Sequence, residues 1–106
     1  MARYALIYSG DQTASSREVQ DAIIADWEAW YAKMGEAIAE GGDPFGASKH
    51  IAAEGSTAVD GHGGMPASGY TVIEATSLDA AAEACADHPH LRHGGQVHIF
   101  EAIDLH

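Results

Sequence analysis

Gly69-Tyr-Thr-Val-Ile-Glu-Ala-Thr-Ser-Leu-Asp-Ala80 (GYTVIEATSLDA) places a strand and the start of a helix next to each other. Tyr70 to Ile73 are strand formers. Thr76 and Ser77 are helix-capping residues, and Asp79 suits the positive end of a helix. Leu78, Ala81, Ala82, Cys85 and Ala86 then recur at helical steps and predict a small-residue face that packs close to a sheet. Pro89 cannot continue a helix and disfavours helical backbone in the residue before it, so the helix is expected to stop at or near His88. After Gly94-Gly95, residues 96–103 alternate as a strand. The last third of the chain therefore reads β-α-β.

Working toward the N-terminus, Tyr4-Ala-Leu-Ile-Tyr8 predicts a first strand, closed by the turn signal Ser9-Gly-Asp11. Ser15 and Glu18 have capping-box spacing. Val19, Ile23, Trp27, Trp30, Met34 and Ile38 follow at three- and four-residue steps, flanked by Ile24 and Tyr31, and predict one long helix. Gly41-Gly42 and Pro44 are its expected stop. Residues 48–52 and 56–59 read as two short strands, and 60–66 as an irregular loop. The order implies an α+β protein, β-α-β-β-α-β, with an antiparallel sheet and both helices on one face. One sheet face would stay uncovered, and a twofold homodimer is the usual way to cover it.

The chain has 106 residues and a mass of 11.1 kDa, which suits one domain, 1–106. Sixteen acidic against five basic residues give a formal charge of −11, which argues against nucleic acid and anionic membranes as partners. No apolar run is long enough to span a bilayer, and the first residues do not read as a signal peptide. A lone cysteine, Cys85, makes no intrachain disulfide, and the expected location is cytoplasmic.

Strand alternation sorts side chains onto two faces. The aliphatic Ala5, Ile7, Val97 and Ile99 are expected beneath the helices. Tyr4, Tyr8, His98 and Phe100 would then look into the dimer interior, where they wall a small-molecule pocket or simply pack the interface. The segment His88-Pro-His-Leu-Arg-His-Gly-Gly95 carries three of the seven histidines. Pro89 opposes a regular strand that would bring His88 and His90 onto one face, and no zinc-type spacing is present, so no metal is expected. Acid/base chemistry is the alternative, because imidazole titrates near neutrality and Asp87 is adjacent as an orienting carboxylate. Histidines that merely satisfy carbonyls at a helix end are the bland alternative. No nucleophile elbow or dinucleotide loop occurs, and Cys85 reads as packing.

The chain resembles the YCII-related family, of the type named for an Asp-Gly-Pro-Phe signature, in the dimeric α+β barrel superfamily. The resemblance is carried by Pro89-His-Leu91 with Gly94-Gly95, Tyr70 to Glu74, Ser77 to Ala80, Tyr4 to Asp11, and Trp30 or Tyr31 on the long helix. It implies a ferredoxin-like fold, a barrel closed by two chains, a pocket between helix and sheet, and His/Asp acid-base chemistry on small molecules. Four positions depart from the family. His88 stands where other members carry Cys or Asp, and Tyr31 lies where some have His. His62 and Gly63 replace the Pro-Phe of the signature after Asp60-Gly61.

The expected function is a cofactor-free lyase or isomerase acting on a small molecule, with His90 as general acid/base and His88 as second catalytic candidate. His50 and His98 are candidates to complete the site, with Tyr4, Phe100, Trp30 and Tyr31 as rings that exclude water. A non-catalytic ligand-binding or structural dimer is the alternative, and a cofactor-free oxygenase a weaker third.

Overall fold

A computed structural model describes residues 1–10, 16–55 and 57–105. The expected cap at Ser15, the turn residue Asp11 and the strand start at Ser56 lie outside them. The first strand, β1 (Ala2–Ser9), leads to α1 (Arg17–Met34), whose N-cap is Ser16, its hydroxyl accepting from the Val19 amide. A 3₁₀ turn (Gly35–Ala37) joins α1 to a short β2 (Ile38–Glu40). Next come β3 (Lys49–His50), β4 (Val59–Asp60) and the long β5 (Ala67–Ala75). Two short helices, α2 (Leu78–Ala84) and α3 (Pro89–Arg92), precede β6 (Gln96–Ala102).

The fold is α+β. Four strands form one sheet in the order β2-β5-β1-β6, with every neighbouring pair antiparallel. Each helical crossover thus skips one strand: β1 and β2 flank β5, and β5 and β6 flank β1. Among the described residues no helix is long and apolar enough to cross a membrane.

Leu6 pairs with Thr71 and Ile99, and Tyr8 with Gly69 and Val97. Tyr4, Leu6 and Tyr8 therefore point to the side where Trp30 of α1, Ala81 of α2 and Cys85 close the core with Ile73. Both helices lie on this face. The expected assignment of faces is thus corrected for β1: its ring-bearing side, not Ala5 and Ile7, lies under the helices. Val97 and Ile99 are there as expected, while His98 and Phe100 share the opposite face with Ala5 and Ile7. The large rings fill the deep space between sheet and helices, where burial gains most.

Other expectations are corrected as well. The long helix ends at Met34, and Gly35, with φ +53°, caps it in the left-handed region that glycine enters without strain. Ile38 leaves the helix to pair with Ile73 at the sheet edge, so the second strand of the sheet comes from 38–40 and not from 48–59. The 48–59 region instead makes the two-stranded hairpin β3–β4, which joins no other strand of the described chain. Ser77 caps α2 by accepting from the Ala80 amide at 3.0 Å, as the sequence predicts. That helix ends earlier, at Ala84, and Pro89 starts α3 instead of merely stopping a helix. Leu78 is half exposed, so Ala81 and Cys85 carry the packing face.

The opposite sheet face carries Ala5, Ile7, Tyr70, Val72, His98 and Phe100, the last 57% exposed. The accessible surface is 7227 Å². A folded monomer of this mass is expected to expose about 5,700 Å², so the chain leaves an unusual amount uncovered.

Candidate small-molecule cleft

A cleft of about 780 Å³ opens between α1 and the edge of the sheet. Ile23, Ile24, Trp27 and Tyr31 line it from the helix, and the segment 41–44 with Ser68, Gly69 and Tyr70 lines it from the sheet. Tyr8 and His90 lie between these walls. Ile23 and Ile24, in the first half of α1, belong to this cleft and not to the core. Gly42 is needed here, since its φ is +75° and a Cβ would overlap the Tyr70 carbonyl.

His90 is 3% exposed and sits in the first turn of α3. Its Nε2 lies 2.7 Å from the Ser9 carbonyl oxygen, which only accepts, so Nε2 carries a proton and donates. The ring packs directly on Gly95, where a Cβ would occupy the same space. Tyr8 and Trp27 flank it at centroid distances of 5.3 and 6.1 Å.

His88 is buried beside it but does not line the cleft. Its Nδ1 accepts from the His90 amide at 3.0 Å, which caps α3 and leaves the proton on Nε2. Nε2 then donates to the Tyr8 hydroxyl at 3.0 Å, and Tyr8 donates to Thr71 Oγ1 at 2.7 Å. Thr71 in turn donates to the Gly41 carbonyl at 3.1 Å, which also accepts from Tyr31 at 2.9 Å. The chain has one consistent donor direction, from the α3 cap to the cleft wall. Burial, with the neighbouring His90, lowers the His88 imidazole to about 4, so it is neutral at pH 7. Burial raises the Tyr8 phenol, which stays protonated.

The structure brings together only part of the expected site. His90 and Tyr31 line the cleft. Trp30 is buried below it, its indole N–H donating to the Ala84 carbonyl at 3.3 Å and its ring 4.3 Å from His88. Tyr4 is core. His50 is on the β3–β4 hairpin against Gly63. His98 and Phe100 are on the open sheet face, where His98 Nε2 lies 2.8 Å from Ser9 Oγ. Asp87 turns to Lys33 at 2.5 Å, which holds its carboxyl below the usual range, and is not aligned with an imidazole. His93 Nε2 meets Asp26 at 2.9 Å.

Sequence reasoning missed Trp27, Thr71, Gly41 and the backbone oxygen of Ser9 as parts of this region. Gly41-Gly42 carries a signal, but read along the chain it suggests a helix stop. Burial raises the Cys85 thiol to about 11, consistent with packing and not with a nucleophile. Among the described residues no group of three or more His, Cys, Asp or Glu is placed to hold a metal. No family model matches the chain, and no curated protein matches it.

Proposed function

We propose that this chain is a YCII-related, ferredoxin-like protein that works as a cytoplasmic homodimer, and that each cleft binds a small molecule on which His90 acts as general acid/base. The reaction is a cofactor-free lyase or isomerase step. One observation carries the reading: a buried imidazole, oriented by the Ser9 carbonyl, lines an apolar cleft of ligand size. The bond to Ser9 engages the Nε2 proton, and Nδ1 is shielded from solvent, so proton exchange requires the imidazole to turn toward the cleft. A substrate C–H or O–H would then have to come within roughly 2.6–3.2 Å of a ring nitrogen, directly or through one water.

The strand order and the antiparallel pairing support the ferredoxin-like assignment. The uncovered sheet face and the large accessible area support pairing of two copies through that face, which would close a dimeric α+β barrel. A monomeric mass by light scattering at micromolar protein would remove the dimer from the proposal. For the chemistry, His90→Asn should lower turnover by about 10²–10⁴ once a reaction is found. Unchanged turnover in the folded variant would discard His90 as the acid/base.

A second reading is a ligand-binding module without chemistry. It is favoured by His88, whose two nitrogens are both committed to structural hydrogen bonds, so no His pair is available for relay. A ligand held equally by the wild-type and His90→Asn proteins, and converted by neither, would select this reading.

A further inference from the structure

We infer that the cleft takes an organic cation, a protonated amine joined to an apolar ring, and discriminates against anions of the same size. This rests on the reading that the cleft binds a small molecule, and adds the charge of that molecule.

Among the described lining residues there is no lysine or arginine, whereas two are acidic, Glu28 from α1 and Asp43 from the facing wall. An ammonium group between these walls meets negative charge from both sides. Four of the five cationic side chains in the sequence are engaged by carboxylates elsewhere: Arg3 with Glu74, Lys33 with Asp87, Lys49 with Asp60 and Arg92 with Asp26. Arg17 opens α1 and is not among the lining residues. Among the described residues no lysine or arginine therefore lines the cleft to neutralise a bound carboxylate or phosphate.

The start of α1 would favour an anion through its backbone dipole. There the Ser16 hydroxyl already accepts from the Val19 amide, and Glu18 sits in the first turn, so that end is substantially compensated. The overall charge of −11 adds a long-range field of the same sign as the two carboxylates.

The apolar part of the ligand is indicated by Trp27 and Tyr31, one helical turn apart with ring centroids 6.1 Å apart and a 33° tilt between planes. Such faces stack on a ring and attract a cation.

The test uses three ring compounds of similar size: 2-phenylethylamine, 2-phenylethanol and 3-phenylpropanoate. Binding is followed by tryptophan fluorescence, with Trp27→Phe identifying the part of the signal that comes from the cleft. Two exposed carboxylates should together favour the amine over the carboxylate by about tenfold in Kd. The preference should shrink in Glu28→Gln/Asp43→Asn and in high salt, while the alcohol binds both proteins alike. If the alcohol and the carboxylate bind as tightly as the amine through the Trp27 signal, the cleft stands as a ligand site and the charge inference is overturned. If none of the three perturbs Trp27 at millimolar concentration, the ligand-site reading falls, and this inference with it.

Discussion

The Nε2 of His88 lies 3.0 Å from the hydroxyl of Tyr8, eighty residues earlier in the chain, and both groups are buried. This contact ties the segment between α2 and α3 to the middle of the sheet. With Nδ1 accepting from the His90 amide, the network requires a neutral imidazole and orders the backbone on which His90 stands. His88 thereby positions the cleft histidine from behind, without facing the cleft.

Stability should fall with acid in a window set by His88. Its value drops from 6.5 in the unfolded chain to about 4 in the fold. Above pH 6.5 both states are neutral, and the contribution of the buried ring is complete. As pH falls from 6.5 toward 4, the unfolded state takes up the proton first, and stability declines by up to about 1.4 kcal/mol per pH unit. Urea midpoints at pH 7, 6 and 5 should show this slope, and His88→Gln should flatten it. An equal slope in the variant would assign the acid sensitivity to other groups.

Tyr8→Phe removes the hydroxyl that His88 donates to and that itself donates to Thr71. A buried N–H then loses its acceptor, which should cost about 1–3 kcal/mol. Adding Thr71→Val should cost less in the Tyr8→Phe background than in the wild type, because the two hydroxyls share one bond. Chemical denaturation of the four proteins measures the coupling.

Gly95→Ala should act on His90 specifically. The new methyl would overlap the imidazole, so the ring must leave its place beside the Ser9 carbonyl. The variant should fold and show the same loss of ligand binding or turnover as His90→Ala. Gly46→Ala, where nothing lies within 4 Å of the added Cβ, is the control and should behave as wild type.

Phe100→Glu puts a charge on the open sheet face next to Ala5, its register partner. The ring is 57% exposed in one chain, so the monomer should tolerate the change. If two copies pair through this face, the mass by light scattering should drop to that of a monomer, with the circular dichroism spectrum unchanged. An unaltered mass would move the interface elsewhere.

Much of the local structure was legible in the chain itself. The strand formers of GYTVIEA became β5, the Ser77 cap began α2, and the alternating end became β6. The stripe from Ile23 to Met34 was helix, as its spacing predicts. His90 and Tyr31 were recognisable as site candidates, although Trp27 was hidden in the same stripe as Trp30. Both indoles have core spacing, and tertiary packing separates the one that lines the cleft from the one that is sealed.

The sequence by itself determined the α+β order, the Ser77 cap of α2 and the excess of acidic over basic residues, because these depend on near neighbours or on totals. Tertiary structure alone decided three things. It turned the Tyr4–Leu6–Tyr8 side of β1 toward the helices, since period-two alternation sorts side chains within a strand while register across strands sets which sides match. It ended α1 at Gly35, because Ile38 fits the helical stripe and the sheet edge equally, and pairing with Ile73 won. And it divided the histidines, giving His88 a buried structural role and His90 the cleft, a difference set by the Ser9 carbonyl and the Tyr8 hydroxyl from the far end of the chain.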